Sequence, residues 1–261
     1  MTAPPRFRGI TIPSEHGGWG LTLEPVALGL AVAPSVAGVA LGLAALAAFM
    51  FRTPLKIIVG DLQRGRSRPG TGLALRAGIL YGVILLLAVV IAIVTTDHQF
   101  WSPLAAAVPF MAIQAAYDAR SRSRRIVPEV AGPVGIGSVA AAITLAGGGT
   151  MGVALGLWLV LGLRSIASVI LVRAQLRRFK QQHYREWPVH LVDVSVAATG
   201  FAAAAFGVIP WLGAAAITLL SPFGWLSLWR PAVRAVNVGI HQTLLGVVVV
   251  VLTAVGVRAG V

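Results

Sequence analysis

The chain has 261 residues, 57% of them hydrophobic and 11% charged, with 21 Lys and Arg against 8 Asp and Glu and no Cys. An ordinary soluble domain carries roughly 25% charged residues, so this chain cannot cover a water-exposed surface and must be covered by lipid. The net charge of +13 would point to nucleic acid in a soluble protein, but here the cations are interleaved with membrane spans, which excludes that partner.

Residues 1–18 contain Arg6, Arg8, Glu15 and His16 with no apolar core and no small-residue cleavage site, so they read as a polar N-terminal segment and not as a signal peptide. The stretch IPSEHGGWGLTLEP, residues 12–25, follows. Glu15 and His16 are candidates for acid–base chemistry, since His titrates near neutrality. The same polar side chains would serve equally as a cap tying this segment to the first helix.

Apolar runs and their polar or Gly/Pro breaks then predict about nine helices, at 19–35, 37–59, 73–95, 101–118, 130–147, 151–173, 190–208, 210–228 and 237–257. The first is short, and Glu24-Pro25 inside it predicts a kink or a partial span. Together they make one all-α, polytopic transmembrane bundle over residues 1–261, without a second domain or a soluble linker.

The connections between these helices alternate in charge. APSVAG, TDHQFWSP, AGGGT and GVIPW contain no Lys or Arg, and every basic residue except Arg258 falls at the N-terminus or in an even-numbered connection with its adjoining helix end. Cytoplasmic loops hold the excess Lys and Arg, so the N-terminus and even connections are expected in the cytoplasm and the C-terminus outside, in a bacterial plasma (inner) membrane.

Ionisable residues within spans are costly and point to function. Glu24 lies near the start of the first helix, and Arg164 shares a face of the sixth with Ser168 at i, i+4. Gln114 pairs in the same way with Asp118, and Asn237 with His241. His190 and Asp193, at i, i+3, share a face of the seventh helix. All lie in the half of the bundle expected to face the cytoplasm, which predicts a polar cavity opening inward, with Glu24 and Arg164 in it or in a buried ion pair. Arg52, Lys56, Arg66, Arg68, Arg122 and Arg173 are candidates to grip an anion, with Glu24, Arg164, Ser168, Asn237 and His241 as further ligand contacts. Glu15, His16, Asp61 and Asp118 are the candidate acid–base groups. Snorkelling to the interface is the competing explanation for the loop arginines.

The segments IPSEHGGWG, AYDARSRSRRIVPEVAG and LWLVLGLRSIASVILVRAQLRR, in that order, resemble the YwiC-like family of bacterial membrane proteins. More distantly, Gly17 to Pro25 and Arg68-Pro69-Gly70 are similar to motifs of the UbiA superfamily of intramembrane prenyltransferases. That resemblance implies nine helices with the N-terminus inside and the C-terminus outside. It also implies transfer of an isoprenoid chain from its diphosphate to an acceptor.

UbiA enzymes hold Mg²⁺ with two aspartate-rich motifs. Here the corresponding loops offer only Asp61 and a late Glu186, so the catalytic aspartates are not carried over and no cofactor is expected, with Mg²⁺ left open as the alternative that the resemblance implies. Arginine binds phosphate directly, which leaves a metal-free site for an isoprenoid or lipid diphosphate as the first expectation, with membrane lipid as the other partner. A small-anion or metabolite transporter and a non-catalytic accessory or scaffold protein stay open beside it.

Overall fold

The computed structural model describes the backbone of residues 7–13, 16–65, 69–120 and 122–261, and the side chains of these except residues 7, 8, 16 and 17. Every element among them is a helix: α1 (Phe7–Thr11), α2 (His16–Val32), α3 (Val36–Leu62), α4 (Thr71–Val94), α5 (Trp101–Ala119), α6 (Ile126–Ala146), α7 (Met151–Phe179), α8 (Trp187–Ala205), α9 (Trp211–Thr218), α10 (Leu220–Trp229) and α11 (Ala235–Ala259). Seven helical segments are long and apolar enough to cross a membrane, α9 and α10 counting together as one. Outside those seven, the apolar part of α2 is shorter, Gly18–Val32, and α5 carries Pro103, Pro109, Gln114 and Asp118 along its length.

Three differences from the sequence expectation have physical causes. Residues 210–228 form two helices meeting at Leu219, because Pro222 has no N–H to bond the carbonyl of residue 218. α7 runs on to Phe179, where Arg177 and Arg178 occupy its last turn and complement the negative end of the helix dipole. α1 was not anticipated; Ile10 is buried and the Tyr81 hydroxyl of α4 donates to the Thr11 carbonyl at 3.1 Å. α2 runs without a break through Pro25, which is fully enclosed, and its apolar part stays shorter than the seven spanning segments.

The core is built from small residues. α6 buries an unbroken run from Gly137 to Ala146, and α2 crosses it at Gly29, where a Cβ would stand 2.8 Å from that of Ile143. Such close approach is how helices associate where lipid gives no hydrophobic driving force. The α6–α7 turn uses Gly147, whose missing side chain admits the Ala33 carbonyl, and Gly148 at φ +83. Thr150 caps α7 by accepting from Val153 N at 3.3 Å, and the Trp158 indole of α7 donates to the Val134 carbonyl of α6 at 2.7 Å. α4 by contrast turns most of its surface outward, with Ile79, Leu80, Leu86 and Val94 exposed as a lipid-facing wall would be.

Candidate functional site

Two polar constellations stand out. The first is mid-bundle. Arg164 lies near the middle of α7, about 20 Å of helix rise from either end, and is 1% exposed. Its Nη2 bonds Glu24 Oε1 of α2 at 2.7 Å and the Gln242 carbonyl of α11 at 2.7 Å, and its Nη1 bonds Ser168 Oγ at 2.9 Å. One guanidinium therefore pins three helices together. Its five fixed donors suit that task, and a lysine could not span the same acceptors. Gly246 makes room for it: a Cβ there would overlap Glu24 Oε1 and stand 2.6 Å from Arg164 Nη2.

The second constellation lies at the arginine-rich end. Arg52 and Lys56, one turn apart on α3, converge on Asp118 at the end of α5. Arg52 binds both carboxylate oxygens, Nε at 2.8 Å and Nη2 at 3.1 Å, and Lys56 Nζ stands 3.1 Å from Oδ1. Arg52, Thr53 and Lys56 line a cleft of about 260 Å³ whose other walls include Pro13, Phe49 and Ile57. Polar and apolar walls thus meet in one cleft beside α1, and Trp19 flanks it, edge-on to Phe49 at 5.2 Å.

The remaining candidates separate from these. Asp61, 3% exposed, accepts from the Thr71 hydroxyl at the start of α4. Arg173 binds Glu129 and donates to the Arg124 carbonyl at 3.0 Å, fastening α7 to the start of α6. Arg122 and Asn237 are exposed, and His241 sits half-buried, edge-on to Phe223 at 5.7 Å. Glu15, Arg66, Arg68 and the side chain of His16 lie outside the described residues. Sequence reasoning missed Gln242, Gly246 and Glu129. Gln242 lies between His241 and Thr243 in an otherwise apolar helix with Gly246 one turn on, and that polar group within a span is the signal that would have found the first two.

Magnesium, implied by the UbiA resemblance, does not fit this donor set. Among the described residues no three His, Asp or Glu side chains group closely enough to hold a metal. Asp118 is occupied by two cations, and the acidic partner near the end of α7 is a Glu129 bound to Arg173.

The model of a family described as YwiC-like protein matches residues 12–144, half of the chain. No curated protein matches it. A solved structure from work on digeranylgeranylglyceryl phosphate synthase in membranes is similar at a TM-score of 0.56 and 13% identity, over 92% of this chain and 93% of that one. At that identity the likeness shows the fold, a UbiA-like helical bundle.

Proposed function

We propose a function from the premise that this chain belongs to the YwiC-like protein family: it holds an anionic isoprenoid or lipid diphosphate at the arginine-rich end of its bundle, in the bacterial plasma membrane. The positive-inside rule sets that end, with the N-terminus, in the cytoplasm. The observation that carries the reading is the cleft between α1 and α3. Arg52, Lys56 and Thr53 offer charged and hydroxyl donors on one side, while Phe49 and Ile57 offer an apolar wall for the first carbons of a chain. The similarity in fold to a protein studied as digeranylgeranylglyceryl phosphate synthase supports the same class of ligand.

Arg52 and Lys56 make phosphate contacts without a metal in this reading, since charge-assisted bonds from a guanidinium are strong and directional. Asp118 holds both cations in position beforehand and gives them up, in part, to the ligand. Its role in this reading is to organise the two cations. Asp61, Glu15 and His16 are the remaining proton-handling candidates should a group transfer occur, in which the C–O bond to the diphosphate breaks and an acceptor takes the isoprenyl carbon.

The test is calorimetric binding of farnesyl or geranylgeranyl diphosphate to the purified protein, with Mg²⁺ and with EDTA. Equal affinity in both is expected, with a loss of roughly 10- to 100-fold on Arg52→Gln, as for a lost hydrogen bond to a charged group. No binding in either condition removes the reading. Binding followed by diphosphate release would make it an enzyme, whereas uptake into proteoliposomes without release would make it a transporter.

A further inference from the structure

Between α7, α8 and α11, against the start of α10, lies a second cavity of about 10 Å³, lined by Ser168, Asp193 and Gln242 with Leu171, Leu220 and Leu245. That is about the room one water-sized sphere requires. Asp193 is 3% exposed. Its Oδ2 makes no hydrogen bond of full geometry, with the Trp225 indole N–H, itself without another acceptor, set against the carboxylate, and Gln242 Oε1 has no donor. Ser168 Oγ accepts one bond from Arg164 and keeps a second lone pair. Three oxygens from three helices, one of them anionic, therefore border one small void.

A carboxylate buried at this depth must be balanced. Arg164 does not supply the charge, because its Nη groups are committed to Glu24, Ser168 and the Gln242 carbonyl. His190, one turn earlier on α8 and edge-on against Trp225 at 5.3 Å, stands close enough to act electrostatically on the carboxylate without bonding it, and His241 on α11 packs on Phe223. Gly224 keeps α10 off the carboxylate, since a Cβ there would stand 3.4 Å from Asp193 Oδ2. An oxygen-only donor set with one negative charge and room for one small sphere suits a hard monovalent cation; a divalent ion demands more carboxylates.

We propose that Ser168, Asp193 and Gln242 form a binding site for one sodium ion inside the bundle. Two of these three residues also bond Arg164, so the ion stiffens the junction of α2, α7 and α11. This site is independent of the diphosphate cleft on α3, and either can fail without the other.

The experiment is thermal unfolding of the full-length protein in detergent, titrating NaCl against choline chloride at constant ionic strength, with ²²Na⁺ equilibrium dialysis as the direct measurement. At tenfold excess over the dissociation constant, sodium is expected to raise Tm by about 3–6 °C over choline. Asp193→Asn abolishes that difference, and Gln242→Leu, whose backbone bond to Arg164 survives, shifts the midpoint to higher sodium. Superimposed sodium and choline curves, or a sodium effect that persists in Asp193→Asn, overturn the proposal. A stability that follows pH identically in both salts also overturns it, assigning the balance of Asp193 to a proton, with His190, His241, Glu24 and Arg164 as the neighbouring groups to separate. If Asp193→Asn fails to fold, dialysis on the wild type and on Gln242→Leu still decides.

Discussion

Arg164 and Glu24 show how an apolar bundle treats a residue it cannot dissolve. Each alone would be an uncompensated charge among helices, and removing one partner of such a pair typically costs about 3–5 kcal/mol. Arg164→Met or Glu24→Gln is therefore expected to lower Tm sharply, and the double variant to recover most of the loss, as a double-mutant cycle by thermal unfolding will read. Gly246→Ala should damage the protein for a different reason, since its methyl would displace the same pair without altering any charge. Both charges were legible in the sequence as ions at membrane depth, and Arg164 with Ser168 as sharers of a face. What closes the site was not legible: the Gln242 carbonyl is a backbone group, identical in chemistry to every other, and only the crossing of α11 with α7 selects it. Likewise Arg52 and Lys56 read as loop-end cations, and their common attachment to Asp118 spans 66 positions that no local pattern encodes.

At the scale of the helix, apolar runs predicted the elements well because a span needs length and little else. The ends moved where sequence hydropathy and helix stability part company. Basic residues end an apolar run but do not end a helix, so α7 continues through them to Phe179. The break at Leu219 was missed for the converse reason: residues 210–228 are uniformly apolar, and one proline interrupts the hydrogen-bond ladder without interrupting the hydropathy. Between helices the decisive residues are small. Gly29→Ala would press a methyl to 2.8 Å from Ile143 Cβ and 3.0 Å from the Ala140 carbonyl. Overpacking against backbone costs about 1–3 kcal/mol, so a lowered Tm with unchanged far-UV helicity is expected. Gly239→Ala on α11, which meets nothing within 4 Å, is the matched control.

At the scale of the molecule, the alternation of basic and uncharged connections predicts which side each loop faces. The absence of native Cys makes that simple to measure. Single cysteines at Arg122 and Arg234 should resist a membrane-impermeant maleimide in intact cells, while those at Asp97 and Val261 should react; all four positions are exposed. A reversed pattern would invert the bundle, and a mixed one would change the number of crossings. The fold itself was legible from the order of the helices and a few motifs, because a helical bundle of this kind is specified by where its chain turns. The site was less so, since its partners come from helices far apart in the chain.

That separation has a consequence for how the protein is made. Glu24 is 140 residues ahead of the arginine that neutralises it. At translation speeds of 5–20 residues per second, roughly 7 to 30 s pass between their emergence from the ribosome. During that interval a short helix interrupted by a carboxylate has little reason to partition into the bilayer unaided. Insertion of α2 must then be completed late, when α7 arrives to claim it, and nascent chains halted before residue 164 should leave α2 extractable from the membrane.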